Sequence, residues 1–240
     1  MPAMLYLPNK LRTRLKDHYE LFINTYVNRI APVFSTIEHE ADKIRDDYYQ
    51  ELGENFNPER DNEADCAELA VEKGFNYYEG MSLMQYNTKL MWISTVYEFW
   101  EQQIRKFLYG EITRSHKFYD KKDNESKYKD FCTKGIDDIK ATFLWFDYNL
   151  ELQDSWKDIN ELRLLTNVIK HGDGWSATEL QKNKPLYFKD DESNINRLEL
   201  YRNTLNNVVL NVQEKDFVRY CKSLAKFWDE LPERLSSISD

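Results

Sequence analysis

Between Leu83 and Ile104 the apolar residues Leu83, Tyr86, Leu90, Ile93, Val96, Tyr97, Trp100 and Ile104 follow one another at intervals of mostly three and four residues. That period puts them on one side of a helix and is incompatible with a strand, whose sides alternate every second residue. A stripe this continuous belongs to a central core helix, and neighbouring elements must bring stripes of their own to cover it. Only 7 Gly and 6 Pro punctuate the 240 residues, so long helices dominate. The predicted fold class is therefore mainly α: an antiparallel helical bundle with a small C-terminal elaboration of short strands and a terminal helix. A hydrophobic content of 41% is ample for one core, and residues 1–240 read as a single domain.

The formal charge of −9 argues against a broad DNA-binding surface, although a local basic groove stays compatible with it. Cys66, Cys132 and Cys221 are odd in number, far apart and lack C-x-x-C spacing, which indicates neither a disulfide framework nor a zinc knuckle and fits a cytoplasmic protein. Residues 1–16 contain no apolar signal run, and no stretch approaches about 18 apolar residues, so no membrane association is expected. His18, His39 and His116 have no second ligand three or four residues away, and no phosphate-binding glycine loop occurs. Neither a metal nor a cofactor is expected.

Along the chain, Asn9 caps a first helix to about Arg29, and Pro32 either kinks it or opens a second helix through Glu51. Gly53 to Asn62 is the first break. A helical pattern resumes from Glu63 to Tyr109, with Gly80 as a point where it could be interrupted. Thr113 to Asp130, rich in Lys and Arg among acids, reads as a polar connection, and Lys134 to Tyr148 as another helix. Leu186–Phe188, Leu198–Tyr201 and Val208–Val212 are strand candidates, and Glu214 to about Leu231 forms the terminal helix.

The chemistry concentrates in Glu161 to Gly174. At about 100° per residue, Arg163, Asn167, Lys170 and His171 fall within one arc of roughly 100°, opposite Leu162, Leu165, Val168 and Ile169. Gly172 is placed to end the helix, and Ser176-x-x-Glu179 has the form of a capping box opening a short helix. His171 thus sits at a helix end. Removing a 2'-hydroxyl proton and protonating a leaving oxygen need acid–base groups, and a pentacoordinate phosphate needs a cation. His171 suits the first tasks, and Arg163 or Lys170 the last. Trp175 could stack on a base. The same residues would serve structure alone if Asn167 and His171 satisfied backbone groups and Arg163 paired with a carboxylate.

With these residues in view, the segment Leu83 to Leu180 resembles the HEPN superfamily (higher eukaryotes and prokaryotes nucleotide-binding). Its signature is an Arg, usually followed by a polar residue, with four to six residues between that Arg and a His near a helix end. Asn167-Val-Ile-Lys-His171 matches the second part. Thr166 stands where the tightest spacing would put Arg, and Arg163, with seven residues between it and His171, is the nearest upstream arginine. The resemblance implies a helical bundle with a motif-bearing core at 83–180 and an elaboration at 186–240. It also implies a metal-independent endoribonuclease, a toxin or phage-defence effector, with His171 as acid or base, Arg163 and Lys170 as phosphate contacts and Asn167 orienting them. RNA is then the substrate, and a homodimer or a partner protein is expected, since one His171 cannot easily make both proton transfers. The alternative it implies is a non-catalytic assembly or nucleotide-binding subunit of a larger complex.

Overall fold

The stripe of the central helix is buried from Tyr86 to Leu108, with Leu90, Ile93, Val96, Trp100, Ile104 and Leu108 wholly inaccessible. In the computed structural model, which describes residues 3–115, 129–131, 133, 135–189 and 195–237, this helix runs unbroken over Glu63–Ser115. Gly80 does not interrupt it. At 1.5 Å per residue it is about 80 Å long, more than the body of the molecule covers.

The chain opens with strand β1 (Met4–Tyr6) and helix α1 (Asn9–Thr25). A π-helical turn at Tyr26–Ile30 and a 3-10 turn at Ala31–Phe34 follow. Pro32 lies in that second turn, and α2 (Ile37–Glu54) begins beyond it, so proline breaks the helix rather than kinking it. The long helix is α3. After it come α4 (Ile136–Trp145), α5 (Trp156–His171), α6 (Trp175–Asn183), α7 (Arg197–Tyr201), α8 (Glu214–Glu230) and β2 (Arg234–Ser236). One apolar core joins α1, the C-terminal two thirds of α3, α4, α5, α6 and α8. The result is a mainly α-helical bundle with a small strand elaboration. Among the described residues no helix is long and apolar enough to cross a membrane.

The strands are not those the sequence predicts. Leu186–Phe188 is part of a 3-10 turn led by Pro185. Leu198–Tyr201 is helical because the Asn196 side chain accepts from the backbone N–H groups of Leu198 and Glu199, at 3.1 and 3.4 Å. Val208–Val212 is extended but joins no ladder: Leu210 N–H donates to the Tyr86 hydroxyl and Asn211 N–H to the Tyr187 carbonyl. The actual sheet pairs the two ends of the described chain, β1 with β2, Leu5 opposite Leu235. The expected polar connection begins only after Ser115, because α3 runs through Thr113; most of it, residues 116–128, lies outside the described residues.

Candidate functional site

Helix α5 is buried on most of its circumference. Leu162, Leu165, Val168 and Ile169 are in the core, whereas Arg163 and Asn167 are half-buried and Lys170 and His171 exposed. The four predicted side chains therefore share the open side of one helix, with Asn167 one turn from each of Arg163, Lys170 and His171. Arg163 Nε donates to Asn160 Oδ1 at 3.1 Å, and Lys170 pairs with Glu98 of α3. Arg163 also lies close enough to the buried Tyr97 for its charge to oppose the rise that burial imposes on that phenol's pKa. No side-chain hydrogen bond or ion pair joins Asn167 or His171 to another described residue. Arg163 and His171 are about 12 Å apart along the axis, too far to clamp one phosphate within a single chain.

Thr166 is 1% exposed and its hydroxyl has no partner. An arginine at this position would point into the core, so in this chain Arg163 is the α5 arginine that reaches the open face.

The turn after His171 is locked. Gly172 takes φ +72°, and a Cβ there would lie 2.5 Å from the Arg202 carbonyl oxygen and 3.2 Å from Asn203 Cα. Asp173 N–H donates to that same carbonyl, and the Asp173 carboxylate pairs with the Arg202 guanidinium. Thr204 donates its hydroxyl to the Ile169 carbonyl at 2.8 Å, satisfying one of the helix-end acceptors. The helix that follows starts at Trp175 with Gly174 at its cap and no side-chain cap bond, so the Ser176–Glu179 capping box does not form. Trp175 is 67% exposed. Arg202 and Glu98, both beside the face, carried no signal in the sequence, because each is brought there by a distant segment. Gly172→Ala is expected to cost about 1–3 kcal/mol in backbone strain before the clash is counted, read as a lowered Tm; an unchanged Tm would contradict the locked turn.

A second polar cluster lies on the buried side of α5. Glu161, 5% exposed, accepts from Arg219 at 2.5 Å, Tyr220 at 2.8 Å and Tyr187 at 3.3 Å, with Lys184 at 3.4 Å from its other oxygen. Arg219 also pairs with Asp158, whose second oxygen accepts from Ser223 at 2.6 Å. Burial and then the Glu161 charge hold the Tyr220 phenol far above its ordinary pKa, so its hydroxyl keeps the proton that it donates to Glu161. Its geometry is that of a clamp between α5, α8 and the 185–188 turn.

Elsewhere, burial lowers the pKa of the Lys89 amine, which lines a cavity of ≈ 340 Å³ with Lys189 and Arg197, against the charges of Asp216 and Glu214. Burial also pushes the Cys221 thiol up to about 12. Among the described residues no group of three or more His, Cys, Asp or Glu is placed to hold a metal. No family model, curated protein or solved structure matches this chain.

Proposed function

We propose that the open face of α5 is the site of a HEPN-like, metal-independent endoribonuclease acting as a homodimer in the cytoplasm, in a toxin or phage-defence setting. The observation that carries this reading is the pairing of an unengaged, exposed His171 with an otherwise buried helix whose end is locked in place. An imidazole free of protein partners is available to a substrate. In the proposed reaction one His171 takes the proton of the RNA 2'-hydroxyl, and that oxygen attacks phosphorus. The bond to the 5'-oxygen breaks, and the leaving oxygen receives a proton from the second subunit's His171. A cyclic phosphate and a free 5'-hydroxyl result. Arg163 and Lys170 hold phosphates, Asn167 orients them, and Trp175 offers a stacking surface for a base.

The Lys170–Glu98 pair and the core-facing Thr166 favour a second reading, a non-catalytic subunit that uses this face for assembly or nucleotide binding. The two separate when purified protein meets mixed RNA in excess EDTA while its mass is recorded by light scattering. Cleavage by a dimer is the expected result. Folded protein that binds RNA or a nucleotide but leaves the strands intact would overturn the nuclease and retain the binding module.

A further inference from the structure

Helix α3 carries its apolar stripe past the end of the core. Val71, Phe75 and Tyr78 stand at one-turn intervals and continue the side of the helix that buries Tyr86 and Ile93, yet they are 57%, 56% and 39% exposed. In this region α3 is packed by α2, antiparallel, with Tyr77 bonded to Glu40 and Tyr49 to Glu63. At Gly74 the helices are so close that a Cβ would meet the Ala41 carbonyl oxygen at 2.9 Å. The two helices thus form an arm, residues 37–80, whose members are absent from the main apolar core.

Between them runs a groove of ≈ 380 Å³ floored by Ala41 and Gly74 and walled by Val71, Phe75 and Tyr78. Acids flank it on both sides: Glu38 and Asp42 line it from α2, together with Arg45, whose charge is taken up by Asp42 and Asp46, and Glu68, Glu72 and Glu79 are exposed on α3. Of these, Asp42 is bonded to Arg45, and no ion pair engages the other four among the described residues. Charge is unevenly shared on a larger scale too. The arm holds 14 Asp and Glu against four Lys and Arg, a net of −10, in a chain whose total is −9. The rest of the protein is nearly neutral.

We propose that this groove docks a basic amphipathic helix of a partner protein, with its apolar face on Val71, Phe75 and Tyr78 and its lysines or arginines on the two acidic rails. A helix laid in a groove reads anchors at this spacing. The charge selects the occupant: nucleic acid is repelled, and the arm of a second copy would bring ten more negative charges to the contact. This surface is separate from the α5 face, and its test does not depend on RNA cleavage.

The probe is a fluorescent 18-residue peptide with leucine on one helical face and lysine and arginine on the other, titrated into the full chain by anisotropy. A scrambled peptide of the same composition is the control. Expected are saturable binding weakened by raising salt, at least tenfold weaker binding of the scrambled peptide, and at least tenfold loss in Val71→Ser/Phe75→Ser. Because both side chains are exposed, that variant should keep its far-UV circular dichroism. Equal binding of the two peptides, full binding by the variant, or no binding at all would overturn the proposal. So would a dimer of the protein that this variant dissociates, since a second copy would then be the occupant.

Discussion

Arg219→Ala is expected to destabilise the protein by about 3 kcal/mol in urea denaturation at pH 7, the low end of the range for breaking a buried ion pair. Glu161 is almost inaccessible, and Arg219, Tyr220 and Tyr187 converge on one of its oxygens. Removing the guanidinium leaves that carboxylate without its nearest cation and takes the ion-pair partner of Asp158 as well, leaving it the Ser223 hydroxyl. Two features temper the loss: Arg219 is itself 30% exposed, and Lys184 remains 3.4 Å from Glu161. Arg219→Lys should recover only part of it, because one ammonium cannot serve Asp158 and Glu161 together as a planar fork does. Arg219→Met combined with Glu161→Gln should be less destabilised than Arg219→Ala, since the almost inaccessible Glu161 position then carries no unpaired charge. An Arg219→Ala midpoint equal to wild type would remove the clamp as a source of stability.

The helices were legible because their signals are local. The stripe from Tyr86 to Ile104, the break at Pro32 and the stop at Gly172 each depend on a residue and its near neighbours in sequence, whereas Asn9, expected as a cap, is the first helical residue behind Pro8, which caps with no side-chain bond. The strands failed for the complementary reason. Three-residue segments have almost no period to read, and β1 and β2 exist because Met4–Tyr6 meets Arg234–Ser236 across the whole chain. Val208–Val212 has strand composition, but its neighbours are a helix tyrosine and a turn carbonyl, so its backbone bonds go there instead. At the α5 face, periodicity sufficed to group Arg163, Asn167, Lys170 and His171. It could not supply Glu98, which occupies Lys170, or the Arg202–Thr204 segment that fixes the turn. Glu161 shows the limit most plainly: its burial depends on Arg219, 58 residues away, and an isolated helix gives no reason to bury a carboxylate there.

His171→Ala is expected to reduce EDTA-resistant RNA cleavage by about 10²–10⁴-fold, the usual contribution of a positioned acid or base. The imidazole makes no hydrogen bond or ion pair with a described residue that its loss would break, and an exposed position outside the core costs little when truncated. The melting temperature should therefore stay within a degree or two of wild type, which separates chemistry from folding. The proposed dimer adds a sharper test. If each site needs an acid from one subunit and a base from the other, mixed dimers of wild type and His171→Ala are as deficient as the homodimeric variant. Excess variant, mixed and allowed to exchange subunits, then suppresses wild-type activity more than simple dilution does. Activity that falls only in proportion to the wild-type fraction would mean that each chain completes its own site, and Lys170 or Arg163 would have to supply what the second His171 is proposed to provide. Asn167→Ala discriminates further. Placed one turn from both Arg163 and His171, it should lower the rate by less than His171→Ala does, without moving the pH profile, because an amide orients and does not exchange protons in this range.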